Sequence, residues 1–320
     1  MRSVIVLLLM ALTAGTAAAG EGLEKAQAHY GRGEYRQAAN LLRDLARSSP
    51  KDAEVRFRLS RAHTRLREWK QASRELEEAV KIEPRNARYH LWLGRAYGDQ
   101  ASRAFFTSAF SLARKVVREF ETARDLAPRD IDVRFDLLEY YLQAPGVVGG
   151  GKAKAEAEVK AIAEIDPSKK AIAEATLYIR NKEWEKAETA LLRATVEHPR
   201  HASSHRDLAE YRFDRKDYRG ALDSGLKALG LDPKSRSTAL LVASARVSLG
   251  VDLDEADRSL AALAGGPLHD GDPSYEEVHY WIGASALARG DRARAREAFQ
   301  TALRFNPEHT RAKDALAQIP

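Results

Sequence analysis

The chain contains no cysteine, and that absence removes disulfides and thiolate metal sites at once. β-Branched runs are scarce, so strands have little support. Charge of one sign is also lacking: 52 basic residues face 46 acidic ones, a net charge of +6. Such a mixed, salt-bridging surface argues against a nucleic-acid binder. Long apolar runs are missing too. The longest, Val4 to Ala19, spans 16 residues with weak Ala, Gly and Thr content at one end, whereas a spanning helix wants about 20 strongly apolar residues.

That N-terminal run has the layout of a secretory leader. Arg2 precedes the apolar stretch Val4–Leu12, and the small residues Ala17, Ala18 and Ala19 supply an A-x-A site. No cysteine follows it, which excludes a lipid-modified N-terminus. Cleavage after Ala19 is expected, leaving an exported chain, periplasmic or secreted, with no stable membrane span.

What fills the rest is a repeat. Ala72, Leu76, Ala79 and Pro84 recur as Ala187, Leu191, Ala194 and Pro199, and as Ala295, Phe299, Ala302 and Pro307. Pro50 to Pro84 is 34 residues, as is Pro199 to Pro233. A fixed period of this size predicts stacked helical hairpins, because one hairpin cannot bury its apolar face alone. First helices carry their own pattern, seen in His90, Leu93, Gly94 and Tyr97, and again in His279, Ile282, Gly283 and Ala286.

These residues resemble the tetratricopeptide repeat family over nearly the whole chain after the leader. The resemblance implies an all-α fold, a right-handed α-solenoid of about eight tetratricopeptide-type hairpins, and a non-enzymatic binding role. The hairpins are expected at 20–52, 53–86, 87–130, 131–169, 170–201, 202–235, 236–273 and 274–309, with a leader at 1–19 and a capping helix at 310–320. Small residues at the eighth and twentieth repeat positions (Ser60 and Ala72, Gly94, Ala155, Ala209 and Ala221, Gly283 and Ala295) let paired helices approach closely. Leu138 breaks that rule and suggests a wider fourth hairpin.

Two hairpins run long. Pro84 to Pro128 is 44 residues, and Pro128 to Pro167 is 39. The first excess lies around Ala101–Leu112, with Phe105, Phe106 and Phe110 at helical spacing, and about three extra turns shared between two helices would absorb it. The second is the glycine loop Ala144–Lys152. Gly265, Gly266 and Pro267 mark a further hinge or long loop.

Candidate chemistry is thin. Gly146-x4-Gly151-Lys152 imitates a phosphate loop, but Ala153 stands where Ser or Thr would hold magnesium, and no strand precedes it. His198, His201 and His205 cluster without a carboxylate at matching spacing. No cofactor, metal or catalytic group is expected.

The functional expectation rests on the helical wheel. Positions facing away from the hairpin partner line the concave groove that the family resemblance implies. In the second and third hairpins they hold Phe57, Arg58, Arg61, Arg65, Arg88, Trp92 and Arg95; in the fourth, Asp132, Phe135, Asp136 and Glu139. Farther on come Arg206, Asp207, Glu210, Phe213, Asp214, Tyr280 and Trp281. The groove should change from arginine-rich to acidic along its length. Arginines gripping the carboxylates of a protein or peptide partner is the leading reading. The bland counterpart is that they pair with neighbouring carboxylates. The family's clamp for a C-terminal carboxylate is absent, since Leu23 and Gln27 occupy its places. A lipid, glycan or enzymatic site at the enlarged hairpins, and a purely structural spacer, are the competing functions.

Overall fold

The computed structural model describes residues 20–269 and 271–319, and the expected leader lies outside them. Every described regular element is helical. Helix α1 covers residues 20–31. It is followed by α2 (Tyr35–Ser48), α3 (Ala53–Arg65), α4 (Trp69–Ile82), α5 (Ala87–Ala101), α6 (Phe106–Leu126), α7 (Ile131–Gln143) and α8 (Lys152–Ile165). Then come α9 (Lys170–Arg180), α10 (Trp184–Glu197), α11 (Ala202–Asp214), α12 (Tyr218–Leu231), α13 (Arg236–Leu249), α14 (Leu253–Gly265), α15 (Tyr275–Ala288), α16 (Arg292–Phe305) and α17 (Thr310–Ala317). The chain divides into two compact units at Pro167/Ser168. Within each, helices pack against their chain neighbours as an α-solenoid of hairpins.

Local chemistry explains where helices start and stop. Asp52, Asn86 and Asp130 cap α3, α5 and α7 by accepting the first free backbone N–H groups. Inside six hairpins the turn closes alike: Gly33, Arg67, Lys182, Lys216, Gly250 and Gly290 all have left-handed φ. The next residue's N–H then donates to a carbonyl five residues back, as from Glu68 to His63 and from Asp217 to Arg212. This is the helix C-terminal closure that favours glycine, yet three of the six positions carry a long basic side chain. The third and fourth hairpins, whose proline spacings of 44 and 39 residues run long, abandon it.

Small residues sit where helices touch. Ala72, Ala187, Ala221 and Ala295 are fully buried. A Cβ on Gly94 would lie 2.4 Å from the Phe120 ring, and one on Gly283 2.6 Å from Phe299. Leu138 is fully buried as well. The third hairpin also proves to follow the general pattern in its second helix, through Val116, Phe120, Ala123 and Pro128. The inserted residues are not shared evenly between two helices. Helix α5 has 15 residues but α6 has 21, against 14 in α4, so most of the excess extends the start of α6.

The segment between α14 and α15 is a long loop, but its ends are held. Leu268 is buried, the Tyr275 hydroxyl donates to Gly266 O at 2.9 Å, and Arg236 pairs with Asp272 at 3.1 Å. Of the two expected alternatives, a hinge or a long loop, the segment is the loop, tied down by those anchors. Helix α17 and the residues just after it lay Ala312, Leu316 and Ile319 against Phe299 and Ala302.

Candidate functional site

The described residues include no helix long and apolar enough to cross a membrane, and no group of three metal-ligating side chains. His205 donates its Nε2–H to the Pro199 carbonyl at 3.1 Å, while the His198 and His201 rings stack 5.1 Å apart. The glycine loop is equally self-contained. The N–H groups of Val148 and Gly150 donate to Pro145, that of Gly149 to Gly146, and that of Gly151 to Tyr141. A phosphate cradle needs those N–H groups free. The Tyr140 hydroxyl, 2.7 Å from both Ala113 O and Val148 O, ties the loop to α6, its single proton serving one carbonyl at a time.

The eleven groove positions all fall in the first unit, and the structure sorts them. Phe57 is only 1% exposed, so it is core between hairpins and not a contact for a guest. Its ring packs on Tyr89 and Trp92, and the Arg88 guanidinium covers it at 3.9 Å. Arg58 donates to Glu54 at 2.7 Å, and Arg88 reaches the same carboxylate at 3.2 Å. Arg65 donates to the Tyr30 hydroxyl. Arg61 is buried, stacked on Trp92 at 3.8 Å, with Arg95 on that indole at 4.9 Å. Arg95 also holds Asp136 with two bonds, at 2.5 and 3.2 Å.

The arginine-rich stretch is therefore largely engaged by the protein's own side chains, as the bland reading had it. What the sequence reading placed as a row of cationic grips becomes a scaffold around Trp92. Asp132 is exposed and Phe135 half-buried on the same helix.

Between α5, α6 and α7 that scaffold leaves a recess of about 520 Å³. Trp92, Gly94, Val116, Phe120 and Tyr140 form apolar walls, and Arg95, Asp99, Asp136 and Glu139 supply the charge. Within the recess Arg95, already committed to Asp136, answers Asp136 and Glu139, while Asp99 is answered by Arg103 and Arg67. Desolvation raises the pKa of all three above the ordinary range. For Asp136 burial outweighs Arg95, and for Glu139 the neighbouring Asp136 charge adds to it. Glu139 is exposed at the rim while its carboxyl leans over the recess. Ionised carboxylates held apart from water and beside one another are unfavourable, and a cation placed among them relieves the cost. Gly98 and Gly94 keep the α5 wall low. Asp99 and Tyr140 were missed by wheel positions alone, because the recess draws on three helices.

In the second unit, Arg206 pairs with Asp207 at 2.9 Å and with Glu210 at 3.5 Å. Phe213 meets Trp281 edge-on at 5.9 Å, and Arg311 covers Tyr280 at 4.5 Å. Burial raises the carboxyl pKa of Glu210 and Asp214. The predicted positions here are packed aromatics and the Arg206 pairs, with Asp214 exposed at the end of α11.

A second device recurs through the second, third and fourth hairpins, and nothing in the sequence reading singled it out. Arg56 pairs with Glu75 at 2.8 Å, His90 with Glu119 at 2.7 Å, and Arg134 with Glu158 at 2.9 Å. Each joins the fourth residue of a hairpin to a glutamate on its second helix. His90 and Arg134 also donate to the carbonyls of Pro84 and Pro128, six residues earlier. Both His90 ring nitrogens thus face acceptors, and the Glu119 carboxylate raises its pKa. The signal was present as a cation following proline at a fixed spacing.

Sequence profiles described as Tetratricopeptide repeat match residues 29–95, 172–236 and 276–309. No curated protein matches the chain. Among solved structures, yeast Tom70 is similar at a TM-score of 0.58 and 16% identity, covering 88% of this chain and 57% of that one. The chain therefore spans little more than half the length of that protein. A thermophilic repeat protein from Thermus thermophilus gives a TM-score of 0.44 at 19% identity, over 71% of this chain and 98% of its own. One from Parabacteroides merdae gives 0.48 at 13% identity, over 94% and 98%.

Proposed function

Since the chain belongs to the tetratricopeptide repeat family, whose repeats generally mediate protein–protein interaction, we propose that it is a non-enzymatic scaffold of the cell envelope. It holds a partner segment in the recess between α5, α6 and α7. The observation that carries this reading is the composition of the recess: apolar walls with three carboxylates and one arginine, already committed, in the lining. The partner segment accordingly presents a lysine or arginine side chain. Its methylenes lie along Trp92 and Tyr140, and its charge sits among Asp99, Asp136 and Glu139. This reverses the sign expected of the guest from sequence, because the arginines that suggested an acidic guest already have partners.

Export through a leader at residues 1–19 belongs to the same proposal. N-terminal sequencing of the chain from a fractionated envelope should begin at Gly20; a chain retaining Met1 in the cytoplasm refutes export. For the recess, a photo-crosslinking residue in place of Gln143, on the recess wall, should trap a partner peptide in cells. Trp92→Ala with Glu139→Arg should abolish the adduct. An adduct that survives both substitutions removes the recess from the account.

A further inference from the structure

The first two turns of α6 and the N-cap residue before them carry no share of the recess or the hairpin core, yet they present the most exposed large apolar side chains described. Phe105 is 92% exposed and Phe106 86%. The tie between Tyr140 and Ala113 shows where α6 meets the next hairpin. Helix α6 begins seven residues earlier, so its start stands about 10 Å beyond that contact. An adjacent, solvent-exposed phenylalanine pair on a projecting corner has no role in holding this fold, and such patches mark contact sites.

The stretch of chain that carries the pair has charge of one sign, with Asp99 at its start answering Arg103 and Arg67. Between Asp99 and Glu119 the chain holds Arg103, Arg114, Lys115 and Arg118, and no acidic residue. Beside the corner lies a cavity of about 620 Å³, walled by Trp69, Phe105 and Leu112. Arg67, Lys70 and Arg103 line it against a single carboxylate, Glu68. That carboxylate is spent on Arg36 at 2.7 Å and His63 at 2.6 Å. Arg103 and Arg67 lie over the Trp69 indole at 4.4 and 5.3 Å, which places cation and aromatic together at the edge.

We propose that the α5–α6 corner is a membrane-surface contact, with Phe105 and Phe106 entering the acyl boundary of an anionic phospholipid leaflet while Arg67, Lys70 and Arg103 meet its phosphates. An apolar tip rimmed by basic side chains matches the headgroup–acyl boundary, apolar groups below and negative charge above. The contact is peripheral and reversible, since two phenyl rings bury far less than a lipid anchor. It goes beyond the recess reading, uses none of its residues, and stands or falls separately.

Because the chain has no native cysteine, a single introduced thiol reports its own position. The exposed Thr107→Cys variant of the full chain, carrying an environment-sensitive fluorophore, is titrated with phosphatidylglycerol–phosphatidylcholine vesicles and with pure phosphatidylcholine vesicles. Lys234→Cys, exposed in the second unit, is labelled alongside. The fluorophore at position 107 should shift to the blue and be quenched by a lipid-borne quencher on anionic vesicles. Adding Phe105→Ser and Phe106→Ser should weaken that response at least about tenfold, leaving the signal at position 234 unchanged. Both phenyl groups are solvent-exposed, so the variant keeps its fold, as circular dichroism will check. An equal response with serines at both positions, an equal response to neutral vesicles, or no response overturns the proposal. Capture of a protein through the phenylalanine pair, with vesicles silent, overturns it as well.

Discussion

At the scale of single residues, close approach and buried charge dominate. A methyl group on Gly94 has no room beside Phe120, so Gly94→Ala should cost about 1–3 kcal/mol in urea unfolding, with part of it recovered by adding Phe120→Leu. The His90–Glu119 pair makes a pH-dependent claim. The folded pKa of His90 is raised above 6.5, so the folded state binds more protons than the unfolded one. The stabilisation is fully present below the unfolded pKa and is lost as pH rises through the folded value. Unfolding free energy should therefore fall from about pH 6 to about pH 9 by more in the native chain than in His90→Gln. Removing only Glu119, as Glu119→Leu, should cost about 3–5 kcal/mol, and the double variant with His90→Leu should recover much of it. A double variant no better than the single would mean the pair is not a unit. The small residues were legible in the sequence because sterics leave few options at a helix crossing. The ion pairs were only half legible: a cation follows proline at a fixed spacing, but a charge alone does not say which helix face will answer it.

The left-handed turn residue recurs in six of the hairpins. Arg67, Lys182 and Lys216 hold φ between 60° and 63°, a region that penalises a side chain by about 1 kcal/mol or more. Lys216→Gly should accordingly raise stability by about 0.5–1 kcal/mol, read as a higher denaturant midpoint at unchanged slope. The glycine loop predicts the opposite sign. A Cβ at Gly150 would lie 1.8 Å from Ala144 O, so Gly150→Ala should destabilise the fourth hairpin. Hydrogen exchange at Val148 and Gly151 would show it directly. Period arithmetic located both excesses, but not how they would be spent. Extending mainly the start of α6 preserves the tight α5 crossing at Gly94, whereas an even share between both helices would have moved it.

Across the whole molecule, the repeat made the fold class readable because every hairpin must bury the same face against the next. The candidate site was only half readable. The wheel positions brought Trp92, Arg95, Asp136 and Glu139 together, but it could not say that the guanidinium was already taken. The sign of a site is a surplus, and a surplus depends on pairs across helices that no single helix reveals. The raised carboxyl pKa values extend this to solution behaviour. Binding of a basic segment should weaken as pH falls through the range where Asp136 and Glu139 protonate, and that loss should begin above the pH expected of ordinary carboxylates.

The most direct measurement is a titration of the full chain with two octapeptides of equal apolar content, one alternating arginine with leucine and the other glutamate with leucine. The arginine peptide should bind at micromolar concentration, about −8 kcal/mol or somewhat weaker, and lose at least about tenfold in affinity to Asp136→Asn with Glu139→Gln. Preferential binding of the glutamate peptide, or arginine-peptide binding indifferent to those two substitutions, would contradict the account.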